Sequence, residues 1–560
     1  MEYKTIIKMY ESSFRANFDK PALTEYFTGE SCNYLQLAED ITRYHILFNQ
    51  LRINKGDKIA LVGKNNTNWV KVYIAVITYG AVIVPILADF HPADLLHTIN
   101  HSDSKLLFTE QHIWNNLPKE DGFENLIAAF NLSPLEVLYE KEAGQATKAL
   151  NNIDNVFNKR YLRGFSVNDI NYDDRDPNEV MIINYTSGTT GFSKGVMLSV
   201  DNITANVCFA IDHKFHFKGS RVLALLPLAH AYGCAFDMLT PLSTGSHITL
   251  LGRIPTPSVL MEAMVKVKPN LICTVPIVME KIVIKKVFPQ IEKKPIKTLI
   301  KIPIIRGFIY KKILKSMLDS FGGCVIEVNM GGAALNTEVE SFLRKIKFPF
   351  TVGYGMTECA PLICYEVHQK YKPQSCGKVL PGMEVKIVPV TEDSSAGEIY
   401  VKGRNVMKGY YKNEEATATA IDAEGWLHTG DIGVLSDDNT VFIKGRIKSM
   451  ILSAIGQNIY PEEIESKLNK LNCVTESLVV EEKGKLFGLI VPDFEKIKIA
   501  GISLTELKEI MMKNLEIINS LVAPYEKLCE LRICKEAFEK TPKQSIRRYL
   551  YPQTACYMAL

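Results

Sequence analysis

Short apolar runs that alternate with amphipathic helical patterns fill the first half of the chain. Lys58–Val62 predicts a strand, residues 68–77 a helix and residues 81–86 a second strand. Further strand-like runs follow at residues 221–226, 247–251 and 271–275. Strands that alternate with helices form parallel sheets whose faces the helices cover. We therefore predict an α/β fold, with a large N-terminal domain of parallel or mixed sheets flanked by helices.

The pattern changes beyond residue 384. Short β runs separated by turn residues predict a small β-rich unit, at residues 385–388, 397–401 and 440–443. After residue 446 the sequence indicates a compact α+β module, with a helix near 462–471, strands at 478–480 and 486–491, and a helix over Leu504–Leu521. A chain of 560 residues is too long for one hydrophobic core. We place the domain boundary near residues 444–448, which gives an N-terminal domain of 1–445 and a C-terminal domain of 446–560.

The overall composition is that of an ordinary globular protein, with 47% hydrophobic and 23% charged residues. A net charge of +3 does not indicate a nucleic-acid partner. The 12 cysteines are scattered without a C-x-x-C pair, which is typical of reduced thiols in a cytosolic protein. The apolar run 73–90 contains Gly80 and Pro85, so we expect a helix and a buried strand there, not a membrane span. The opening residues predict no signal peptide, and we expect a cytoplasmic location.

Residues 185–195 form a segment unusually rich in glycine and hydroxyl groups, directly after the apolar-leaning run 180–184. Such a loop suits phosphates, because glycines let backbone N–H groups approach closely, hydroxyls donate and Lys194 offsets anionic charge. The spacing differs from that of the nucleotide P-loop, since Lys194 follows Gly191 by three residues and Gly195 comes next. The candidate contacts are Thr186, Ser187, Gly188, Thr189, Thr190, Gly191 and Lys194.

This segment resembles the signature loop of the adenylate-forming (AMP-binding) enzymes, the acyl-CoA synthetase superfamily. The resemblance extends through further motifs in the family's order, over residues 20–550. It implies a large N-terminal domain, a small mobile C-terminal domain, and ATP and coenzyme A as co-substrates. Residues 226–233, Leu-Pro-Leu-Ala-His-Ala-Tyr-Gly, resemble the second core motif. There the resemblance implies that His230 lines the carboxylate side of the site and gates the acyl pocket, although a lone histidine in this setting is more often structural.

The adenine pocket is implied by two turns. Residues 329–335 follow the apolar run 324–328, which predicts a strand. The resemblance places Gly331, Gly332 and Ala333 against the base, where a large side chain would block it. Residues 352–358, Val-Gly-Tyr-Gly-Met-Thr-Glu, are a second match.

In that second match Tyr354 offers an aromatic face beside Gly355, and Thr357 offers a hydroxyl to phosphate. Glu358 is a hard oxygen donor suited to Mg²⁺ beside a triphosphate. We place the magnesium site at Glu358 and Thr186.

Residues 425–465 resemble the family's ribose-binding residues, its hinge and its mobile C-terminal loop. Asp431 accepts both ribose hydroxyls in the family, and Arg446 reaches the ribose or a phosphate. Lys448 occupies the hinge position. Gly456 and Gln457 open a segment that matches the loop that swings in on the coenzyme A side for the second half-reaction.

One motif departs from the family. Residues 540–548 keep the frame of a motif that ends in glycine, lysine and an aliphatic residue, but Gln544 and Ser545 stand where the glycine and lysine belong. That lysine contacts the reacting carboxylate and the α-phosphate. Positions 543 and 545 of a strand point to the same side, so Lys543 is a candidate substitute. The alternative is that the lysine's function is weakened or lost.

Residues 293–317 contain eight Lys or Arg residues, no acid, and many apolar residues between them. A basic amphipathic stretch is typical of a membrane-surface element. The alternative is a helix pair packed on the domain with a solvated basic rim. We expect peripheral contact at the inner face of a membrane.

These features predict an ATP-dependent acyl-CoA synthetase. Such an enzyme activates a long-chain fatty acid through an acyl-adenylate and releases AMP and pyrophosphate. Residues 275–282 resemble the long-chain members. The catalytic candidates are Lys194, His230, Glu358 and Lys543. Two alternatives remain: an enzyme that passes the acyl group to a separate acyl carrier protein, and a weakened acyl- or nucleotide-binding protein.

Overall fold

The computed structural model describes residues 4–119, 122–186, 194–252, 256–389, 396–452, 458–482, 484–540, 546–551 and 557–558. The largest sheet is mixed, with a parallel centre. In spatial order its strands are Gly409–Tyr410, Lys194–Ser199, Val180–Thr186, Val82–Ile86, Lys58–Val62, Ser104–Thr109, Ala128–Leu132 and Leu135–Glu140. The central strands Lys58–Val62 and Val82–Ile86 are parallel and almost completely buried, as expected of strands that helices cover on both faces.

Smaller sheets complete the N-terminal part. One contains Arg221–Ala224, His247–Leu250, Pro21–Glu25 and Ser31–Asn33. A parallel sheet contains Leu271–Thr274, Glu327–Met330 and Phe350–Val352. An antiparallel sheet contains Tyr354–Gly355, Leu362–Tyr365 and Lys378–Val379. The chain between residues 350 and 355 therefore passes from the parallel sheet directly into the antiparallel one.

The predicted β-rich unit is an antiparallel sheet of Met383–Pro389, Gly397–Gly403, Leu427–Leu435 and Val441–Arg446. Beyond it lie a short ladder of Ile451–Leu452 and Asn458–Ile459, and a sheet of Val474–Glu482, Lys485–Pro492, Leu528–Cys534 and Tyr557–Met558. Among the described residues, the core clusters around Ile464 and Leu489 contain only side chains that follow residue 450.

The helices cover the sheets, and hydrogen bonds from residues next in sequence cap their ends. Thr67–Tyr79 begins at Asn66, whose side chain accepts from the Trp69 N–H at 2.8 Å, and ends at Gly80 with a φ of 96°. The helices are Ile6–Ala16, Tyr34–Gln50, Thr67–Tyr79, Pro92–His101, Gln111–Asn116, Gln145–Asn151, Ile153–Arg160, Val200–Asp212, Ala231–Gly233, Thr240–Thr244, Pro257–Val267, Pro276–Ile282, Phe288–Ile291, Lys294–Leu299, Pro303–Ser320, Thr337–Lys345, Glu414–Ala420, Pro461–Leu468, Phe494–Ala500 and Leu504–Leu521. Two stretches, Cys234–Leu239 and Val283–Val287, are π-helical.

Most element predictions are confirmed, including the α/β class and Leu504–Leu521. The apolar run 73–90 contains a helix end and the buried strand Val82–Ile86. No helix in the described ranges is both long and apolar enough to span a membrane. The cysteines in those ranges are free thiols, and most are buried.

The strand predicted at 324–328 is misplaced, because it covers Glu327–Met330. The apolar run was misleading: Ile326 is 55% exposed, whereas the polar residues Glu327 and Asn329 are buried. The buried Glu327 carboxylate accepts hydrogen bonds from the Tyr365 hydroxyl and from the backbone and ring nitrogens of His368. A buried polar group is stable when such partners satisfy it.

Candidate active site

The glycine- and hydroxyl-rich segment connects two antiparallel strands. Val180–Thr186 pairs with Lys194–Ser199, and Thr186 lies directly opposite Lys194 in the register. The two ends of the candidate phosphate loop are therefore held side by side at the edge of the largest sheet. Residues 187–193, and with them Ser187, Gly188, Thr189, Thr190 and Gly191, lie outside the described residues.

Lys194 and Glu358 are brought together by Tyr410, a residue that no sequence motif had indicated. The Lys194 ammonium lies 4.8 Å from the centre of the Tyr410 ring, a cation–π contact. The Tyr410 hydroxyl donates to Glu358 Oε1 at 3.0 Å. Burial and the neighbouring Glu358 carboxylate raise the pKa of Tyr410, so its hydroxyl stays protonated and keeps donating. A cation, an aromatic ring and a carboxylate thus form one connected group.

The strand Gly409–Tyr410 explains how Tyr410 reaches this position. It pairs with Lys194–Ser199 at the edge of the largest sheet, Tyr410 opposite Val196. Its backbone is further fixed by a hydrogen bond from the Tyr410 N–H to Thr417 Oγ1 at 2.9 Å. The sequence signal was weak: two adjacent tyrosines after a glycine, in an otherwise polar stretch.

The His230 loop is held against the same edge by two asparagines. Asn184, on the strand that ends at Thr186, donates to the Ala229 carbonyl at 3.1 Å. Asn65 accepts from the Leu228 N–H at 2.9 Å and donates to the Leu226 carbonyl at 2.8 Å. His230 then caps the following helical turn, where its Nδ1 accepts from the Tyr232 N–H at 3.3 Å.

Tyr232 connects the His230 loop to the Gly331 turn. Its hydroxyl donates to the Asn329 carbonyl at 2.9 Å. A Cβ added at Gly331 would lie 3.4 Å from the Tyr232 ring, an ordinary van der Waals contact, so the ring packs closely against this turn without itself requiring a glycine. Gly332 has a φ of 85°, and it and Ala333 are exposed. The turn therefore presents an open surface of backbone and one methyl group, which suits a flat ligand.

Tyr354, Asp431 and Arg446 form a second connected group. The Tyr354 hydroxyl donates to Asp431 Oδ2 at 2.7 Å, and Arg446 Nε forms an ion pair with Oδ1 at 2.9 Å. Burial raises the pKa of Asp431, while the Arg446 charge and the Tyr354 hydroxyl oppose that rise. The two partners thus orient a buried carboxylate, and the Arg446 side chain itself is 65% exposed.

Gly355 and Thr357 shape the backbone between Tyr354 and Glu358. A Cβ at Gly355 would lie 2.1 Å from the Pro361 carbonyl oxygen, which no side chain can tolerate. Thr357 is buried at the start of a short 3₁₀ turn over Thr357–Cys359. Gly355 is therefore required by the turn itself, whatever ligand lies nearby.

These contacts form a continuous path around one region at the carboxyl ends of the central strands. It runs from the paired strand ends at Thr186 and Lys194 through the His230 loop and Tyr232 to the Gly331 turn. The Gly353 N–H then donates to the Met330 carbonyl at 2.8 Å, which joins this turn to Tyr354 and so to Asp431. Tyr410 joins Glu358 back to Lys194. Crevices at this edge of α/β sheets are where ligands bind. Lys448 lies in the 3₁₀ turn Ile447–Ser449, directly after the Arg446 strand. Gly456, Gln457, Lys543 and Ser545 lie outside the described residues.

The residues present fit a magnesium ion that accompanies a nucleotide. Such an ion uses one or two protein carboxylates, substrate phosphates and water rather than a protein cage. Glu358 supplies one carboxylate, and Thr186 lies opposite Lys194. Within the part of the chain that the structure describes, no group of three or more His, Cys, Asp and Glu side chains is placed to hold a metal. Such a group is not needed for an ion held mainly by phosphates.

A buried polar cluster adjoins the site and escaped the sequence analysis. Asp237 lies on the π-helix Cys234–Leu239, and burial raises the pKa of its carboxyl to about 8. The neighbouring Cys273 thiol lies opposite Asn329 in the parallel sheet. Among the described residues, Asp237 Oδ2 and both side-chain polar atoms of Asn329 have no hydrogen-bond partner. Unsatisfied buried polar atoms of this kind are costly and mark candidate ligand contacts. Their apolar surroundings in the sequence hid them.

The fold and the motifs gathered at this edge define an adenylate-forming enzyme. The model of the family described as "AMP-binding enzyme" matches residues 10–411. The chain belongs to the AMP-binding enzyme family, whose members are acid–thiol ligases that use ATP.

Similar proteins include ligases for different acids. A 4-coumarate–CoA ligase of Vanilla planifolia is 28% identical over 506 residues, which cover 87% of this chain and 83% of the relative. The long-chain-fatty-acid–CoA ligase ACSBG1 of Rattus norvegicus is 25% identical over 485 residues, 79% of this chain and 64% of the relative. The structure of o-succinylbenzoate CoA synthetase (MenE) from Bacillus subtilis, in complex with the acyl-adenylate intermediate OSB-AMP, matches with a TM-score of 0.73 and 20% identity. It covers 98% of this chain and 99% of that one. This last likeness shows the fold alone.

Proposed function

We propose that this chain is an ATP-dependent acyl-CoA synthetase that activates a long-chain fatty acid. In the first step a carboxylate oxygen of the acid bonds to the α-phosphorus of ATP, the α–β phosphoanhydride bond breaks and pyrophosphate leaves. In the second step the sulfur of coenzyme A, having lost its proton, bonds to the acyl carbon, and AMP leaves with the bonding electrons. The observation that carries the proposal is the connected path that joins Lys194, Glu358, Tyr354 and Asp431 around one region.

The residues divide the work by their chemistry. Lys194 and the 186–194 loop offset the charge of the phosphates, because positioning and charge neutralisation dominate phosphoryl chemistry. Tyr410 holds Glu358 in place through its hydroxyl, while its ring contacts the Lys194 ammonium. Magnesium, when bound at Glu358 and Thr186 with the nucleotide, supplies further charge neutralisation at the phosphates.

We assign binding of the nucleoside half of ATP to the Gly331 turn and to the connected group of Tyr354, Asp431 and Arg446. The Gly331 turn offers an open surface to the adenine, and the buried Tyr354 supports it from the next strand. Asp431, held by Tyr354 and Arg446, accepts hydrogen bonds from the ribose hydroxyls. His230 lies at the carboxylate side of the site, on a loop fixed by Asn184 and Asn65.

We also propose that the chain is divided into two domains, residues 1–445 and 446–560. This division is supported by the separate core clusters that follow residue 450. The C-terminal domain turns about Lys448 between the two steps and brings residues 456 and 457 to the coenzyme A side. Such a rotation lets one site serve two reactions.

A second candidate acid is favoured by the polar cluster beside the site. Asn329 and Asp237 carry unsatisfied hydrogen-bonding atoms, which an alkyl chain cannot satisfy. An acid with a hydroxyl or carbonyl group distant from its carboxylate would satisfy them. One of the similar proteins is a 4-coumarate–CoA ligase, and that acid is therefore the natural competitor in the test.

The deciding experiment measures pyrophosphate and AMP from the full chain with ATP and Mg²⁺, over a chain-length series of fatty acids and 4-coumarate. Pyrophosphate release dependent on a long-chain acid, followed by AMP release dependent on coenzyme A, supports the proposal. Preference for 4-coumarate supports the second candidate. Adenylate that turns over only with a carrier protein supports that alternative, and nucleotide binding without pyrophosphate release indicates a binding protein.

A matched pair of variants connects activity to the site. Glu358→Gln removes the carboxylate charge, so we expect pyrophosphate release to fall about 10²-fold or more. Glu384→Gln makes the same change on an exposed carboxylate of the β-rich unit and should be silent. Near-normal pyrophosphate release from folded Glu358→Gln at saturating Mg²⁺ would contradict the assignment.

A further inference from the structure

The helices Lys294–Leu299 and Pro303–Ser320 expose apolar side chains that a packed helix pair would bury. Of the described helix Pro303–Ser320, only Met317 is buried. Ile304 is 88% exposed, Phe308 72% and Ile302 47%. Exposed large apolar side chains that cluster together mark interaction sites. The solvated basic rim alone does not account for them.

The long helix has two different faces along its length. Tyr310, Ile313 and Leu314 pack against the core around Met317, which fixes the C-terminal half to the domain. Ile304 and Phe308 lie four residues apart and share the opposite face, and Lys312 continues that row one turn later. The N-terminal half is therefore anchored at one end while it presents an apolar edge outward.

Basic side chains surround this apolar edge. Lys301, Arg306, Lys311, Lys312 and Lys315 are exposed around Ile302, Ile304 and Phe308. Residues 293–317 contain no Asp or Glu, so no acid within the stretch neutralises them. A surface of this composition complements an anionic, amphipathic partner: lysines contact the headgroups while apolar side chains enter the boundary with the acyl chains.

We propose that the helix Pro303–Ser320, with Lys301 and Ile302 directly before it, forms a membrane-docking surface for anionic lipid, defined by Ile302, Ile304, Phe308 and the five basic residues around them. The surface belongs to the crossover that leaves the strand Leu271–Thr274 and returns at Glu327–Met330. Both strands end beside the Gly331 turn, where Gly331 N–H donates to the Thr274 carbonyl at 3.2 Å. The inference rests on exposure and charge and stands independently of the acid that the enzyme activates.

The test is sedimentation of the full chain with phosphatidylcholine vesicles, with and without phosphatidylserine. We expect binding only to the anionic vesicles, weakened by salt as the Debye length falls from about 10 Å at 0.1 M to about 3 Å at 1 M. Replacement of four lysines, Lys301→Gln, Lys311→Gln, Lys312→Gln and Lys315→Gln, should lower the partition coefficient at least tenfold, since each lysine contributes about fivefold.

A control variant carries the same charge change elsewhere: Lys148→Gln, Lys159→Gln, Lys218→Gln and Lys513→Gln, all on exposed lysines. A second variant, Ile304→Ser with Phe308→Ser, keeps every charge and should also lose at least tenfold. Equal binding by the control and the lysine variant, or unchanged binding of the serine variant, would overturn the proposal. A concentration-dependent dimer that the serine variant abolishes would overturn it too, because the occupant is then a second copy.

The outcome is separable from that of the proposed function. Vesicle binding is measured without ATP or acid, so a wrong substrate does not affect it. AMP formation from a water-soluble acid should be unchanged in the serine variant, because its substitutions lie on the exposed side of the crossover. Loss of that activity together with lower thermal stability would show misfolding, and Phe308→Ser alone would then replace the double variant.

Discussion

Tyr410 connects the two charged residues of the candidate phosphate site, Lys194 and Glu358. Tyr410→Phe keeps the ring beneath the Lys194 ammonium and removes only the hydroxyl that donates to Glu358. Hydrogen bonds to charged groups contribute about 1.5–3 kcal/mol, so we expect the rate of pyrophosphate release to fall at least tenfold. The adjacent Tyr411→Phe is the matched control, since the Tyr411 hydroxyl bonds Asp103 instead. Equal effects of the two substitutions would contradict this role for Tyr410.

A second prediction at the residue scale concerns the missing lysine. Ser545 carries no charge, yet in the proposed first step the α-phosphate gathers negative charge as the carboxylate attacks. We expect Lys543→Ala to slow adenylation about 10²-fold or more, comparable to the loss of one transition-state donor. The thioester step, started from preformed acyl-adenylate, should change little, because in the proposed rotation the C-terminal domain has then turned that lysine away. A silent Lys543→Ala with a faster Ser545→Lys would show that the site lacks its cation.

Among the elements, the π-helix Cys234–Leu239 should impose a pH dependence on stability. Burial raises the pKa of Asp237 to about 8 from an ordinary value of 3.8, and the titratable groups that interact with its carboxyl are the Cys273 thiol and the Tyr232 hydroxyl. Between these two pH values the folded chain holds a proton that the unfolded chain has released. Stability contributed by this group is therefore present at low pH and is lost as the pH rises towards 8, by up to about 1.4 kcal/mol per pH unit.

The measurement compares thermal unfolding midpoints of the natural chain and Asp237→Asn between about pH 5 and about pH 7.5. The asparagine is neutral throughout, so the variant should gain stability relative to the natural chain as the pH rises. Parallel curves would show that Asp237 is already ionised in the fold.

The elements also show why sequence analysis succeeds in some places and fails in others. Leu504–Leu521 was predicted to the residue, because a capping box at Ser503 and a helical apolar pattern act locally. Glu327–Met330 was displaced, because its polar residues are buried by partners distant in sequence. The contribution of Tyr410 depends on an edge pairing with Val196, more than two hundred residues earlier, which no local pattern records. The motif residues could be identified from the resemblance, but the path that connects them could not.

For the whole molecule, the proposed rotation of the C-terminal domain about Lys448 leads to a kinetic prediction. Lys448→Pro restricts φ in the turn Ile447–Ser449 and should hold one orientation, so adenylation and thioester formation should respond unequally. Lys448→Ala removes the ammonium without that restriction and separates the charge from the hinge. The two half-reactions are measured separately, as pyrophosphate release and as thioester formation from acyl-adenylate. Equal losses in both would count against a rotating domain.

The place of Gly409–Tyr410 at the edge of the largest sheet has a consequence during synthesis. Lys194–Ser199 leaves the ribosome about 210 residues before the strand that pairs with its outer side. At about 5–20 residues per second, this interval lasts about 10–40 s. Throughout it the nascent chain presents an unpaired strand edge, which is a template for association with other chains. Truncated products that end before residue 409 keep that edge permanently and should depend on chaperones more than the full chain does.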